Sequence, residues 1–310
     1  MLARIGAIAL NTYREAVRAR ILHGLFGLAL ATAGYALIVG AYASRSRMRV
    51  VSDIGAASIS IYAIVVAVVL GATSLYRELE LKTIFPILAR PIRRSEYLVG
   101  KLLGTVLTLA VFVAANAGVL LLSLAVLGGG SVPIALAAGL GSAAALALAA
   151  WRLPRVRTYL PIVWALSVAV AGYFLAAGAP DDRRVVAGLA CLTVLEVTII
   201  AALATLFSSF SSPFLTAVFT FSVVIVGRSA DSLAKLPKRV FGETIHAVGE
   251  FLSRIVPNLM LFVPPRPLLT GETSGADLSR YLLLAGAHAL GWSVLLVAVG
   301  SLVFRRRDFL

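Results

Sequence analysis

The amino-acid sequence predicts an all-α protein that crosses a membrane several times, with six core transmembrane helices and an extra helical pair, about eight spans in all. Three observations carry this. Hydrophobic residues make up 60% of the 310 and charged residues only 14%, where soluble domains run near half and a quarter. Mean hydropathy is +0.97. The apolar residues gather in runs of the roughly 20 residues that a spanning helix needs, without the dyad alternation of outer-membrane barrels.

Taken in order, residues 2–18 form an amphipathic helix. At about 100° per residue, Leu2, Ile5, Ala9, Leu10, Tyr13 and Val17 share one side, and Arg4, Asn11, Arg14, Glu15 and Arg18 the other, with Ile8 the exception. An Arg-rich face opposite an apolar one suits a helix lying in the membrane interface, so 1–20 is read as an interfacial element at the cytoplasmic face. The spans follow at about 21–43, 54–76, 102–127, 133–151, 158–178, 185–207, 209–227 and 281–304, and 21–310 is one transmembrane domain. Ala41-Tyr42-Ala43 has the look of a signal cleavage site, but the first run is longer than a signal core and further spans follow, so it is read as retained. The run 133–151 is nearly all Ala, Leu and Gly, and 209–227 starts polar at Ser208, Ser209, Ser211 and Ser212; these two are the weakest spans. In the long loop 228–280, Val240, Ile245, Val248, Phe251, Leu252 and Ile255 recur at helical spacing until Pro257, which predicts a short helix on or dipping into the outer surface.

The formal net charge is +14. On this apolar background the surplus is topological rather than a sign of a nucleic-acid partner, because Lys and Arg collect on cytoplasmic loops. Basic density is highest with 1–20, 77–101, 152–157, 208–213 and 305–310 inside and 44–53, 179–184 and 228–280 outside. Both termini are therefore expected in the cytoplasm.

Several chemistries lack their motifs. Gly100-Lys101 is followed by Leu102, so no phosphate-binding loop forms there, and neither a nucleophile elbow nor a His-Glu-x-x-His pair occurs. No catalytic residue and no metal site is predicted. His23, His246 and His288 are scattered, and Cys191, the only cysteine, reads as a small buried hydrophobe. Glu196 is the one acid near the middle of a span. It is a possible intramembrane polar site, either lining a path or held neutral by a neighbouring helix.

The loop 77–101 is the most informative stretch. Leu81, Ile84, Phe85 and Leu88 fall at i, i+3, i+4 and i+7 on a short charged segment. Such a stripe calls for a partner, either lipid or the groove of another protein. Gly100 and Gly104, at the head of the third span, are spaced to allow a close helix contact.

The order Glu78-x-Glu80-x-Lys82-Thr83-Ile84, then Leu88, Pro91, Arg94, Tyr97 and Gly100-Lys101, resembles the first cytoplasmic loop of type-2 permeases of ATP-binding-cassette exporters. More narrowly it resembles the branch that includes the permease for nitrous oxide reductase maturation. The similarity extends to the N-terminal helix, the first two spans, Ser208 to Pro213, Pro257-Asn258-Leu259 and the tail Arg305–Phe309. It implies a non-catalytic permease, working as a homodimer in a bacterial inner membrane, that exports a substrate the sequence does not identify. It further implies two copies of a separate ATPase that carry the ATP and Mg, with no cofactor in this chain. The loop would be a coupling helix in a cleft of that ATPase, with Glu78, Glu80, Thr83, Ile84 and Leu88 in contact and Arg93, Arg94 and Lys101 near the membrane surface. Residues 133–180 depart from the family pattern and supply the extra pair. Two other readings compete: an ion-coupled secondary transporter, which calls for more intramembrane acids than Glu196, and a membrane-embedded enzyme, which calls for a convergent polar constellation.

Overall fold

The computed structural model describes residues 2–43, 45–80, 93–153, 156–235, 237–272 and 277–305. Twelve α-helices are used here: α1 Leu2–Val17, α2 Arg20–Tyr42, α3 Arg47–Glu80, α4 Arg94–Leu127, α5 Val132–Arg152, α6 Leu160–Leu175, α7 Pro180–Ser208, α8 Pro213–Arg228, α9 Ala230–Ala234, α10 Lys238–Ile255, α11 Arg266–Thr270 and α12 Leu278–Arg305. A π-turn, Ala137–Gly141, lies within α5, and short 3-10 turns follow α6 and precede α11. No strand occurs among the described residues. The chain is an all-α polytopic membrane protein.

Seven of these helices are long and apolar enough to cross a bilayer: α2, α3, α4, α5, α6 with its 3-10 extension, α7 and α12. The expected span 209–227 corresponds to α8, which has only 16 residues. At 1.5 Å per residue that is about 24 Å, short of the roughly 30 Å hydrocarbon core. Prolines stand at the start of five of the helices, Pro133 in α5, Pro161 in α6, Pro180 in α7, Pro213 in α8 and Pro267 in α11, where a missing N–H costs no bond and the fixed φ suits the first turn.

The helices alternate direction, so the bundle has two faces. The near face carries α1, the start of α4 and the ends of α3, α7 and α12; the far face carries the opposite ends. α7 is the centre, with Leu192, Val197, Ile199, Ile200, Ala201, Ala202 and Ala204 buried against α3, α4 and α12. Small residues allow these approaches. Gly71 of α3 meets Ala204 of α7, and a Cβ at Gly172 of α6 would stand 2.8 Å from the carbonyl oxygen of Gly118 in α4. At the far face Arg266 of α11 donates to Asp53 and Asp182, and Ser52 donates to Asp182 at 2.8 Å. That cluster ties α3, α7 and α11 together.

α1 packs directly on α4, which adds a protein contact to the expected interfacial helix. Ile5, Thr12, Tyr13 and Ala16 are buried, while Leu2 is exposed. The exception in the periodicity, Ile8, faces Gly100, where an added Cβ would stand 2.7 Å from the Ile8 Cβ. A Cβ at Gly104 would meet Thr12 Cβ at 2.6 Å. Burial raises the Tyr13 hydroxyl to about 12.

The extra pair is α5 and α6. α6 lies along α4, and Gly178 beyond it touches Gly128. α5 is held loosely, with only Ala135 of its residues buried, and the Trp164 indole N–H of α6 donates to Ser142 Oγ at 3.2 Å.

The segment expected as an outer loop from 228 starts differently. Arg228 is the last residue of α8, inside the bundle. α9, α10 and the 3-10 turn Met260–Phe262 follow, and Leu259, buried, donates its N–H to the Gly227 carbonyl at 3.0 Å. α10 kinks at Gly242, whose φ of 80° favours glycine. It leaves Ile245, Val248, Phe251 and Ile255 exposed in a stripe.

Candidate functional site

The near face is the first candidate. α3 and α4 rise to it and frame the loop. Thr83, Ile84 and Leu88 lie outside the described residues, as do the side chains of Glu78, Glu80 and Arg94. What is described is the chain that follows, from Arg93 into α4. Arg93 is exposed just before α4. Glu96, Tyr97 and Lys101 are buried in the first turns of α4. Lys101 places its Nζ 5.6 Å from the centroid of the Tyr97 ring. Tyr97 stacks on Phe304 of α12, centroids 6.5 Å apart and planes 13° apart. α1, the start of α4 and the end of α12 thus form one packed platform, held by the Gly100 and Gly104 contacts and the Tyr97–Phe304 stack.

The second candidate is inside the bundle. Glu196 of α7 is almost fully buried, its side chain 1% exposed. Arg228 donates to both carboxylate oxygens, Nε to Oε1 at 2.8 Å and a terminal nitrogen to Oε2 at 2.9 Å. A terminal nitrogen also donates to Ser60 Oγ of α3 at 2.7 Å. This fork-to-fork arrangement is the strong form of a charge-assisted pair. Glu196 lies 16 residues beyond the first residue of α7, about 24 Å along its axis. α8 therefore ends within the bundle rather than at the far face, and Arg228 fastens three helices at once. The pattern of apolar runs placed Arg228 in a loop; the polar start of 209–227 marked that run as weak but not where it ends.

Other predicted positions sit apart. Cys191 is exposed on α7 rather than buried. His23 Nδ1 lies 3.1 Å from the Ala19 carbonyl oxygen, His246 is 4.0 Å from Glu250, and His288 packs between Phe262 and Trp292. Among the described residues no three His, Cys, Asp or Glu gather as metal ligands would.

Known proteins supply the remaining comparison. No curated protein matches the chain. A family model described as an ABC-2 family transporter protein matches residues 6–309. That match takes in α1, every spanning helix, the extra pair and the loop between α3 and α4. With an all-helical, multi-pass architecture and a match over nearly its full length, the chain belongs to the ABC-2 family of transporters, whose members are membrane permeases that normally work with an ABC ATPase.

Proposed function

We propose that this permease is the membrane half of an exporter, driven by a separate ATPase docked on the loop 77–101. The near face is cytoplasmic, both termini lie there, and the membrane is a bacterial inner membrane. Two permease copies pair with two ATPase copies. ATP and Mg are bound by the ATPase, and this chain holds no cofactor and no catalytic residue. Within the family the loop resembles the branch of the nitrous oxide reductase maturation permease.

The observation that supports this reading is the apolar stripe Leu81, Ile84, Phe85 and Leu88, in a segment whose described end, from Arg93, runs into the packed platform of α1, α4 and α12. Such a stripe on a charged segment is suited to a protein groove, and the platform that the chain enters directly after it gives a push somewhere to go. ATP binding then favours the permease state to which the closed ATPase binds more tightly. The pairing of Glu196 with Arg228 also supports this over an ion-coupled carrier, because the one acid deep in the bundle already has its counter-charge.

The test is co-expression with the ATPase encoded beside it, purification through a tag on the permease, and measurement of co-purification and ATP turnover. Ile84→Asp with Leu88→Asp is expected to release the ATPase while the permease still inserts. An ATPase that stays bound to this variant removes the docking role of the loop.

A further inference from the structure

A cavity of about 920 Å3 lies between the α1–α2 elbow, α4 and the α5–α6 pair. Its interior is apolar. Phe26, Phe112 and Trp164 meet edge to face there, at 6.1 Å from Phe26 to each of the other rings, and Leu146 and Ala147 of α5 form the outer wall. The Trp164 indole N–H is spent on Ser142 within that wall.

The mouth is different. Arg18, His23 and Arg157 line it, Arg18 and Arg157 are exposed, and no carboxylate is among the described lining residues. Two helices begin beside it, α2 at Arg20 and α6 at Leu160, and neither N-cap residue accepts a bond through its side chain. The Leu22 and Ile162 amides already donate to the Ala19 and Tyr159 carbonyls, at 3.1 and 3.0 Å, and Pro161 has no N–H to offer, so the positive charge of the mouth is that of its side chains. Arg14, bonded to the Tyr159 hydroxyl, holds the elbow against the start of α6. Along α5, Leu140 and Leu148 are exposed, so this wall is apolar on its outer side as well.

We propose that this cavity is a binding site for an anionic phospholipid, with the headgroup at Arg18 and Arg157 and an acyl chain among Phe26, Phe112 and Trp164. A soluble anion has no use for the aromatic interior, and a neutral apolar molecule has none for the arginines. Basic pockets between transmembrane helices select acidic headgroups for this reason. The site lies on the flank of α4, shares no described lining residue with the Glu196–Arg228 pair or with 77–101, and does not depend on the ATPase. The lipid fills the gap beneath α5, the helix that the protein itself holds least, and fastens the extra pair to the bundle.

The full chain, delipidated in mild detergent, is mixed with phosphatidylglycerol or with phosphatidylcholine of the same acyl chains. Bound lipid is counted by native mass spectrometry beside the melting temperature. Phosphatidylglycerol is expected to bind and raise the melting temperature, and phosphatidylcholine to do neither. Arg18→Gln with Arg157→Gln is expected to weaken phosphatidylglycerol binding about thirtyfold. Ala147→Trp, which fills the interior without altering charge, is expected to weaken it too, and Ala143→Leu serves if that variant does not fold. Arg239→Gln on α10 leaves binding unchanged. Equal binding of the two lipids overturns the proposal. So does unchanged affinity in the arginine variant or the cavity-filling variant, and so does competition by glycerol phosphate as effective as that of the lipid.

Discussion

Arg228 and Glu196 hold each other in a place where neither could stay alone. Removing one charge leaves the other buried without a partner, which costs about 3 kcal/mol or more. Glu196→Gln and Arg228→Gln are each expected to lower the melting temperature sharply, and the double variant by less than their sum; additive losses would mean that the two act separately. Glu196 is legible in the sequence as a lone acid in an apolar run. Arg228 is not, because a cation at the edge of such a run reads as an interfacial anchor, and only the folded chain brings that edge inward. Tyr13 makes a second residue-level case. Its hydroxyl is buried and has no hydrogen-bond partner among the described residues. An ionised phenolate is disfavoured there, so the folded state keeps its proton up to about 12 against an ordinary value of 10.0. The stability tied to that proton is whole below pH 10 and fades as pH rises toward 12. Protease sensitivity of α1 should rise over this window, and Tyr13→Phe should remove the pH dependence without destabilising the protein at neutral pH.

At the scale of elements, α1 depends on two glycines. Any side chain at Gly104 meets Thr12 and the backbone at Ala9, so Gly104→Leu should overpack the seam at a cost of about 1–3 kcal/mol. Partial release of α1, read from cysteine accessibility at Ala16, is the expected result; an α1 that stays protected would mean that the seam tolerates bulk. The Gly100 and Gly104 spacing is readable beforehand, whereas their partner is not, because spacing within one helix says nothing about which other helix answers it. Ile8 is instructive in the same way. It breaks the lipid-facing pattern of α1 because the seam against α4 is a second apolar direction, rotated from the first. The existence of the long spanning helices is legible, since long apolar runs leave the chain little alternative in a bilayer, whereas the short α9 and α11 carry no such run and are not expected. The course of α8 is not, since its end is set by one ion pair rather than by hydropathy.

For the whole molecule, orientation has a direct test. In a Cys191→Ser background, Arg93→Cys should react with a membrane-impermeant maleimide only from the cytoplasmic side, and Glu272→Cys only from the other side. Both positions are exposed, on opposite faces. The reverse pattern would turn the molecule over and leave the loop 77–101 out of reach of any cytoplasmic ATPase. One more consequence follows from α4. It runs 34 residues without a proline, a rod of about 51 Å. Its first turns sit in the platform beside the loop, α6 lies along its length, and its last residues adjoin the glycine contact at the far face. A rod so constrained does not absorb displacement by bending. Under the proposed drive, force delivered at the base would travel the length of the shaft to α1 and α6, which are clamped to it through glycine contacts, so that α6 would be moving machinery rather than fixed casing.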